Sequence, residues 1–382
     1  MHYYLIYAIV SCILAICSYG FRDLNLILSD IPAVNGALTA LRDITLGSRH
    51  VVTVVWGVAI AILTACYVMI LRDSEQVKQN SHRFIWSFII GIACIFVVSY
   101  PANSHDIFNY ITTAKVTYLY GENPYIVMPT EILGEPFLAF TRAANRTALY
   151  GPVWILMSAI PHHAGLGQIW FTIVLFKLMN AVVYMLFAWF IYVATKSVKN
   201  VLFFASNPLI VLEVLLSGHN DIYMMLPALF GLWYLRRHTS MAKALGLLAF
   251  VSSWFVKGAT VVLLPVLFLR GISWEKVLVI SYSLLLGVFM ILGPVREELY
   301  PWYAVWIISV AAFLPAGKNT FIYWLTVVLS FSLELRHLPY MWMGYYEGPG
   351  PLLRLTVTIL PVIIFLCVYS YRTHRHNSVQ SV

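Results

Sequence analysis

Charge is scarce in this sequence: Asp, Glu, Lys and Arg together make up 10% of its 382 residues. An ordinary soluble domain carries about 25%, so a water-soluble globule is excluded. Cysteine is sparse as well. Cys12, Cys17, Cys66, Cys94 and Cys367 all lie inside apolar runs, are odd in number and have no metal-ligand spacing. They read as small core hydrophobes and not as a disulfide framework or a zinc site. No DxD, HExxH or CxxC occurs, and there is no heptad, Gly-X-Y period, fixed repeat or low-complexity tract. Coiled-coil, collagenous and disordered classes are thereby excluded. The short alternating segments of a transmembrane barrel are missing too.

What is abundant is apolar surface, with 61% hydrophobic residues and a mean hydropathy of +0.81. Apolar runs fall near 3–20, 51–71, 84–101, 168–195, 200–217, 220–235, 241–256, 258–270, 277–294, 301–315, 320–335 and 352–371. A helix needs about 20 apolar residues to cross a bilayer, so the shorter runs imply broken or tilted helices. The expected fold is all-α: a polytopic transmembrane bundle of about 12 spans forming one domain over 1–382. One long loop, 102–167, is expected to carry interfacial helices. The first run, Tyr3 to Tyr19, lacks a basic leader and a clean small-residue cleavage site, and reads as a retained helix.

The formal net charge of +8 is not a nucleic-acid signature, because the basic residues are scattered between apolar runs. They instead set an orientation. With Arg372 and Arg375 in the cytoplasm, the cytoplasmic loops hold Arg72, Lys78, Arg83, Lys196, Lys199, Arg236, Arg237, Lys243, Arg270, Lys276 and Lys318. This count treats 151–163 as a re-entrant or interfacial segment. The unusual polar clusters then gather at the opposite face: Ser104–His105–Asp106, Tyr150–Gly151–Pro152, His219–Asn220–Asp221, Lys257 and Tyr300–Pro301–Trp302–Tyr303.

Within the long loop, Ser104 is an N-cap candidate and Asp106 sits in a first helical turn, where an acid is favoured. Asp106, Asn109, Tyr110, Thr113 and Thr117 share one helical face, predicting an amphipathic interfacial helix that Gly121 stops. Asp106 could be no more than a helix-start acid. Glu213 lies inside an apolar span, where an ionisable group suggests function, but a structural pairing with Lys177 is favoured. His219 and Asp221 flank a helix break. Lys257, a cation at the outer face, needs an anionic partner, though a snorkelling lysine would look the same. An aromatic belt would explain Trp302 and Tyr303, and those rings also suit sugar stacking. His162 and His163, adjacent and about 100° apart on a helix, read as a loop-tip pair and not as metal ligands.

Taken in order, Asp106-Ile-Phe-Asn-Tyr110, Lys115, Gly121-Glu-Asn-Pro-Tyr125, Tyr150-Gly-Pro152, Asn207-Pro208, Gly218-His-Asn-Asp221, Lys257 and Pro301-Trp-Tyr303 resemble the GT-C class of polyprenol-phosphate-sugar-dependent glycosyltransferases. The nearer likeness is to the bacterial polyprenyl-phosphate-mannose-dependent α-mannosyltransferases, over residues 84–315. That resemblance implies inverting transfer of a sugar, mannose by family, from a polyprenyl-phosphate carrier to a hydroxyl of a glycolipid or glycan. The reaction would take place at the extracytoplasmic face of the cell membrane. It implies no cofactor, no metal and no nucleic-acid partner. Asp106 takes the family's catalytic-base position.

Lys257, with Lys115 or His219 as lesser candidates, would meet the departing phosphate. Asp221, Trp302 and Tyr303 would orient hydroxyls, with His105, Asn109, Tyr110 and Asn220 as flanking contacts. Lys115 stands where arginine is commoner, losing a bidentate clamp. It also lies about 180° around the helix from Asp106. The alternative function is a multi-pass lipid or sugar transporter using Glu213, Lys177 and Lys257 as a relay; against it, no internal repeat is visible.

Overall fold

The computed structural model describes residues 2–23, 25–45, 49–74, 82–269, 271–295, 298–315 and 317–380, and these contain helix and no strand. The elements in order are α1 (His2–Cys17), α2 (Pro32–Thr45), α3 (Arg49–Asp73), α4 (His82–Val97) and α5 (Asp106–Tyr118). They continue with α6 (Pro152–Ala164), α7 (Ile169–Thr195), α8 (Val198–Ala205), α9 (Asp221–Tyr234) and α10 (Ser240–Trp254). The last are α11 (Trp274–Val295), α12 (Ala304–Ala311), α13 (Thr320–Leu335), α14 (His337–Met343) and α15 (Gly350–Gln380). A wide π-type segment, Ile210–Leu216, precedes α9, and a tight 3₁₀ segment, Gly258–Phe268, follows α10.

Among the described residues, six helices are long and apolar enough to cross a membrane, or seven if the bent pair Val198–Ala205 and Ile210–Leu216 is one span. Shorter apolar helices at His82–Val97, Ser240–Trp254, Gly258–Phe268 and Pro301–Ala311 account for other expected runs. Of the basic loop residues, Lys78 and Arg270 lie outside the described residues.

At the centre is a break in a helix, and its chemistry explains why so many tyrosines are buried. Pro208 has no N–H to donate, so the helix cannot run through it, and α8 meets the next segment at 61°. The freed carbonyls are satisfied from three other helices. Tyr67 of α3 donates to Phe203 O at 2.8 Å, Tyr184 of α7 to Ala205 O at 2.6 Å and Tyr7 of α1 to Ser206 O at 2.9 Å. Asn207 Oδ1 accepts the Leu209 N–H at 3.0 Å.

The far end of the π-type segment is tied in the same way. Lys177 Nζ donates to Leu216 O at 2.8 Å, to Ser99 O at 3.0 Å and to the Ser99 hydroxyl. Asn180 Nδ2 donates to Val214 O at 2.8 Å. The expected Lys177–Glu213 pair is therefore corrected. Lys177 binds backbone oxygens, because a cation buried beside unpaired carbonyls has partners without needing an acid.

Two further corrections follow from burial. The Asp106–Tyr118 helix is not a half-exposed interfacial helix; it buries Ile107, Phe108, Asn109, Tyr110, Thr112 and Thr113 alike, since the rest of the long loop folds over its polar stripe. Only Cys66 is buried, while Cys12, Cys94 and Cys367 are exposed on outward helix faces; an apolar thiol there needs no protein core if lipid covers it. His162 and His163 lie in the last turn of α6, packed against Tyr118, and not at a loop tip.

Candidate active site

After the π-type segment the chain turns at Gly218, whose φ of +89° places it in the left-handed region that glycine occupies freely. That turn delivers His219, Asn220 and Asp221, all completely buried, to the start of α9. Asp106 arrives at the same place from the start of α5. Its helix is capped by His105 without a side-chain bond, and the Ser104 hydroxyl accepts the Asp106 N–H at 3.1 Å, so the helix begins after Ser104 and His105.

A third strand of chain brings Tyr150. The Gly151 N–H donates to Val256 O at 3.0 Å and the Val153 N–H to Phe255 O at 2.9 Å. A Cβ on Gly151 would meet Phe255 O at 2.2 Å, so only glycine permits this approach. It sets Tyr150 beside Lys257.

The Asp106 carboxylate receives the Tyr150 hydroxyl on Oδ2 at 3.2 Å and the Asn109 amide on Oδ1 at 3.3 Å. Asn109 also accepts the Ala143 N–H at 3.1 Å, pinning the covering loop. His219 Nδ1 lies 3.3 Å from Asp106 Oδ2, and its Nε2 lies 3.0 Å from Glu213 Oε2. Both contacts are off the hydrogen-bonding axis, so they act chiefly through charge. Glu213 Oε1 is in turn 2.8 Å from His337 Nε2. The His219 ring lies flat against Trp302, with centroids 4.1 Å apart and planes 19° apart.

The charges follow from these contacts. Burial alone would raise the Asp106 pKa, but the His219 contact, Lys257 and the Tyr150 hydroxyl together hold it below the ordinary carboxylate value. Burial likewise disfavours a charged His219, yet Asp106 and Glu213 outweigh it and push the ring up to about 9. The pair is thus carboxylate and imidazolium at neutral pH. Burial and the adjacent Asp106 push the Tyr150 phenol well up, which keeps it a donor.

Asp106 opens onto a cavity of about 230 Å³. Its walls include His105, Trp302 and three arginines, Arg142, Arg336 and Arg354. Burial, followed by Arg142, lowers His105 to about 4, so the positive field in the cavity comes from the arginines. Arg336 and Arg354 both contact Glu298, Arg336 through Nε at 3.6 Å.

Not every expected residue reaches this cavity. Lys257 is committed to Asp221, with Nζ at 2.9 and 3.0 Å from the two carboxylate oxygens, and Trp306 Nε1 donates to the same acid at 2.6 Å. Tyr303 lies under Lys257, 5.0 Å from its ring centroid. Asp221, Lys257 and Tyr303 thus form a second layer that fixes α9, α12 and the 3₁₀ segment. Tyr110 packs edge-on against Tyr150 and Trp154, and Asn220 is buried beside it. Lys115 is carried away, to Glu135 at 2.6 Å and over the Phe137 ring at 4.2 Å. It is not brought to Asp106. The relay needed by a transporter is not assembled either, because Lys177, Glu213 and Lys257 have separate partners.

A model of the alpha-(1->6)-mannopyranosyltransferase family, N-terminal domain, matches residues 8–272, well over half of the chain. The chain belongs to this family. No curated protein and no solved structure matches it. A mannosyltransferase moves mannose from a sugar donor to a glycan acceptor, and the described residues of this one include helices long and apolar enough to cross a membrane. The match ends before Trp302, Arg336, His337 and Arg354, so half of the cavity lies beyond the matched span.

Sequence reasoning missed the arginines and His337. The signal was present in Glu334-Leu-Arg336-His337, three ionisable groups ending an apolar run, where such residues are functional candidates by default.

Proposed function

We propose that this mannosyltransferase uses Asp106 as the base of an inverting transfer from a polyprenyl-phosphate carrier to a glycan or glycolipid hydroxyl. The supporting observation is a carboxylate, held ionised by His219, at the wall of a cavity that Arg142, Arg336 and Arg354 also line. The acceptor O–H proton passes to Asp106 as the acceptor oxygen attacks the anomeric carbon. The bond from that carbon to the phosphate oxygen breaks, and the electron pair leaves on polyprenyl phosphate. A guanidinium matches a phosphate with two parallel donors and cannot be deprotonated, so the arginines suit the charge that develops on departure. They replace Lys257 and Lys115 in that role. Trp302, stacked on His219 and Tyr300, adds an aromatic wall against which the sugar can pack.

The orientation read from the basic residues supports an outer site. The end of α3, the start of α13 and the end of α15 meet around a second cavity lined by Arg72, Thr320 and Arg372. Arg336 and Arg354 stand at the opposite ends of α13 and α15. If the end bearing Arg72 and Arg372, with the short basic connections read from the sequence, faces the cytoplasm, Asp106 faces outward. In this reading the four shorter apolar helices and α9 complete the expected 12 crossings. The outward face of α15, buried over only 6% of its span, would lie beside the carrier's prenyl chain.

The test is transfer of labelled mannose from polyprenyl-phosphate-mannose to a mannoside acceptor by purified enzyme. Asp106→Asn is expected to lose about 10²- to 10⁴-fold in rate, the usual worth of a general base, with unchanged yield and thermal unfolding. Near-normal transfer by that variant would remove Asp106 from the mechanism.

A further inference from the structure

Behind the Asp106–His219–Glu213 row lies a group the transfer does not use. Glu334, near the end of α13, is completely buried, and neither of its carboxylate oxygens has a hydrogen-bond partner among the described residues. A buried carboxylate needs donors, and a buried carboxylic acid needs an acceptor for its proton; here the protein supplies neither. One ligand atom each from Glu213, Glu334 and His337 lie within 4.8 Å of one another. The second Glu213 oxygen, Oε2, also lacks an aligned hydrogen bond. Two carboxylates and an imidazole with this spacing are a divalent-cation donor set. A metal bound at about 2.0–2.2 Å to nitrogen and oxygen puts its ligand atoms roughly 3–4 Å apart, so the three side chains draw together as the ion enters.

We infer that Glu213, Glu334 and His337 bind a divalent cation of the zinc or manganese class. The two carboxylates neutralise the ion, and His337 ligates through Nε2, exchanging its contact with Glu213 Oε1 for the metal. Mixed oxygen and nitrogen donors suit these metals better than calcium, which takes oxygen alone. The ion stands one side chain behind His219, so it positions Glu213 and through it the imidazolium beside Asp106. It goes beyond the proposed transfer chemistry and does not depend on it.

The full chain, purified in detergent without chelator, is expected to carry about one zinc or manganese per molecule by elemental analysis. After chelator stripping, Mn²⁺ and Zn²⁺ titrated by calorimetry should each bind at one site and raise the unfolding temperature. Glu334→Gln and His337→Ala should weaken that binding by at least about tenfold. Asp106→Asn should bind the metal as wild type does, which separates this site from the transfer mechanism. Stripped wild-type protein that binds neither metal overturns the inference, and so does a folded Glu334→Gln protein with wild-type affinity. If the variants do not fold, the wild-type titration decides alone.

Discussion

At Asp106 the sequence supplies a carboxyl group, and its neighbours decide what that group is worth. Burial works against its charge, while His219, Lys257 and Tyr150 restore it and leave the pKa below the ordinary 3.8. A base with a lowered pKa stays unprotonated as the solution becomes more acidic. The kcat/KM profile should therefore be flat on its acid side between about pH 5 and 7. A limb rising through that window would mean that some other group is the base. The stability linked to this carboxylate has the same sign: present above the ordinary value, and lost as pH falls through the lowered one. His219→Gln removes the opposing charge and leaves burial unopposed. That variant should move the acid limb up by about one pH unit or more, a unit being worth about 1.36 kcal/mol, besides lowering kcat.

The elements carry a different kind of prediction, because their job is to hold the backbone polar groups that membrane burial makes expensive. The break at Pro208 is tolerated because Tyr67, Tyr184 and Tyr7 donate to the carbonyls it frees. Tyr184→Phe leaves the Ala205 carbonyl unpaired in the interior, and should cost about 1–3 kcal/mol in unfolding measured by circular dichroism in detergent. The apparent KM should barely change, since Tyr184 is remote from the cavity. Gly151→Ala acts oppositely. Its Cβ would meet Phe255 O at 2.2 Å, so α6 must back away from the 255–257 segment and take Tyr150 with it. Misplacement by about 1 Å can cost up to about 10²-fold in rate, and we expect most of the loss in kcat with expression kept.

Across the whole molecule, arginines border a cavity at each end of the bundle, and one of the two cavities also holds a carboxylate. Arg72 and Arg372 border one cavity, whereas Asp106 shares the other with Arg142, Arg336 and Arg354. An anionic lipid-linked donor approaching the second end meets fixed guanidinium groups that no pH change in the working range discharges. Arg336→Ala and Arg354→Ala should each raise KM for the lipid-phosphate donor about tenfold or more, the worth of one charged hydrogen bond. Arg354→Lys, which keeps charge but loses the planar fork, should recover only part of this. A KM unchanged in both alanine variants would place the phosphate elsewhere. Sidedness is checked separately: cysteines introduced at 346 and 372 should label from opposite sides of sealed vesicles with a membrane-impermeant maleimide.

What the sequence by itself determined was whatever follows from local composition. Long apolar runs with scarce charge demand helices, because in a bilayer each backbone polar group must be satisfied within its own segment. The ordered motifs around Asp106, Tyr150, His219, Lys257 and Trp302 pointed to the family and to Asp106 as the acid now proposed as the base. Only the tertiary structure decided the pairings. Lys257 belongs to Asp221, Lys115 to Glu135 and Lys177 to two carbonyls, while His337 and Glu334 turn inward beside Glu213 and Arg336 pairs with Glu298. A buried charge is satisfied by whatever stands within about 3 Å of it, and residues 106, 142, 219 and 336 become neighbours only once the bundle has closed.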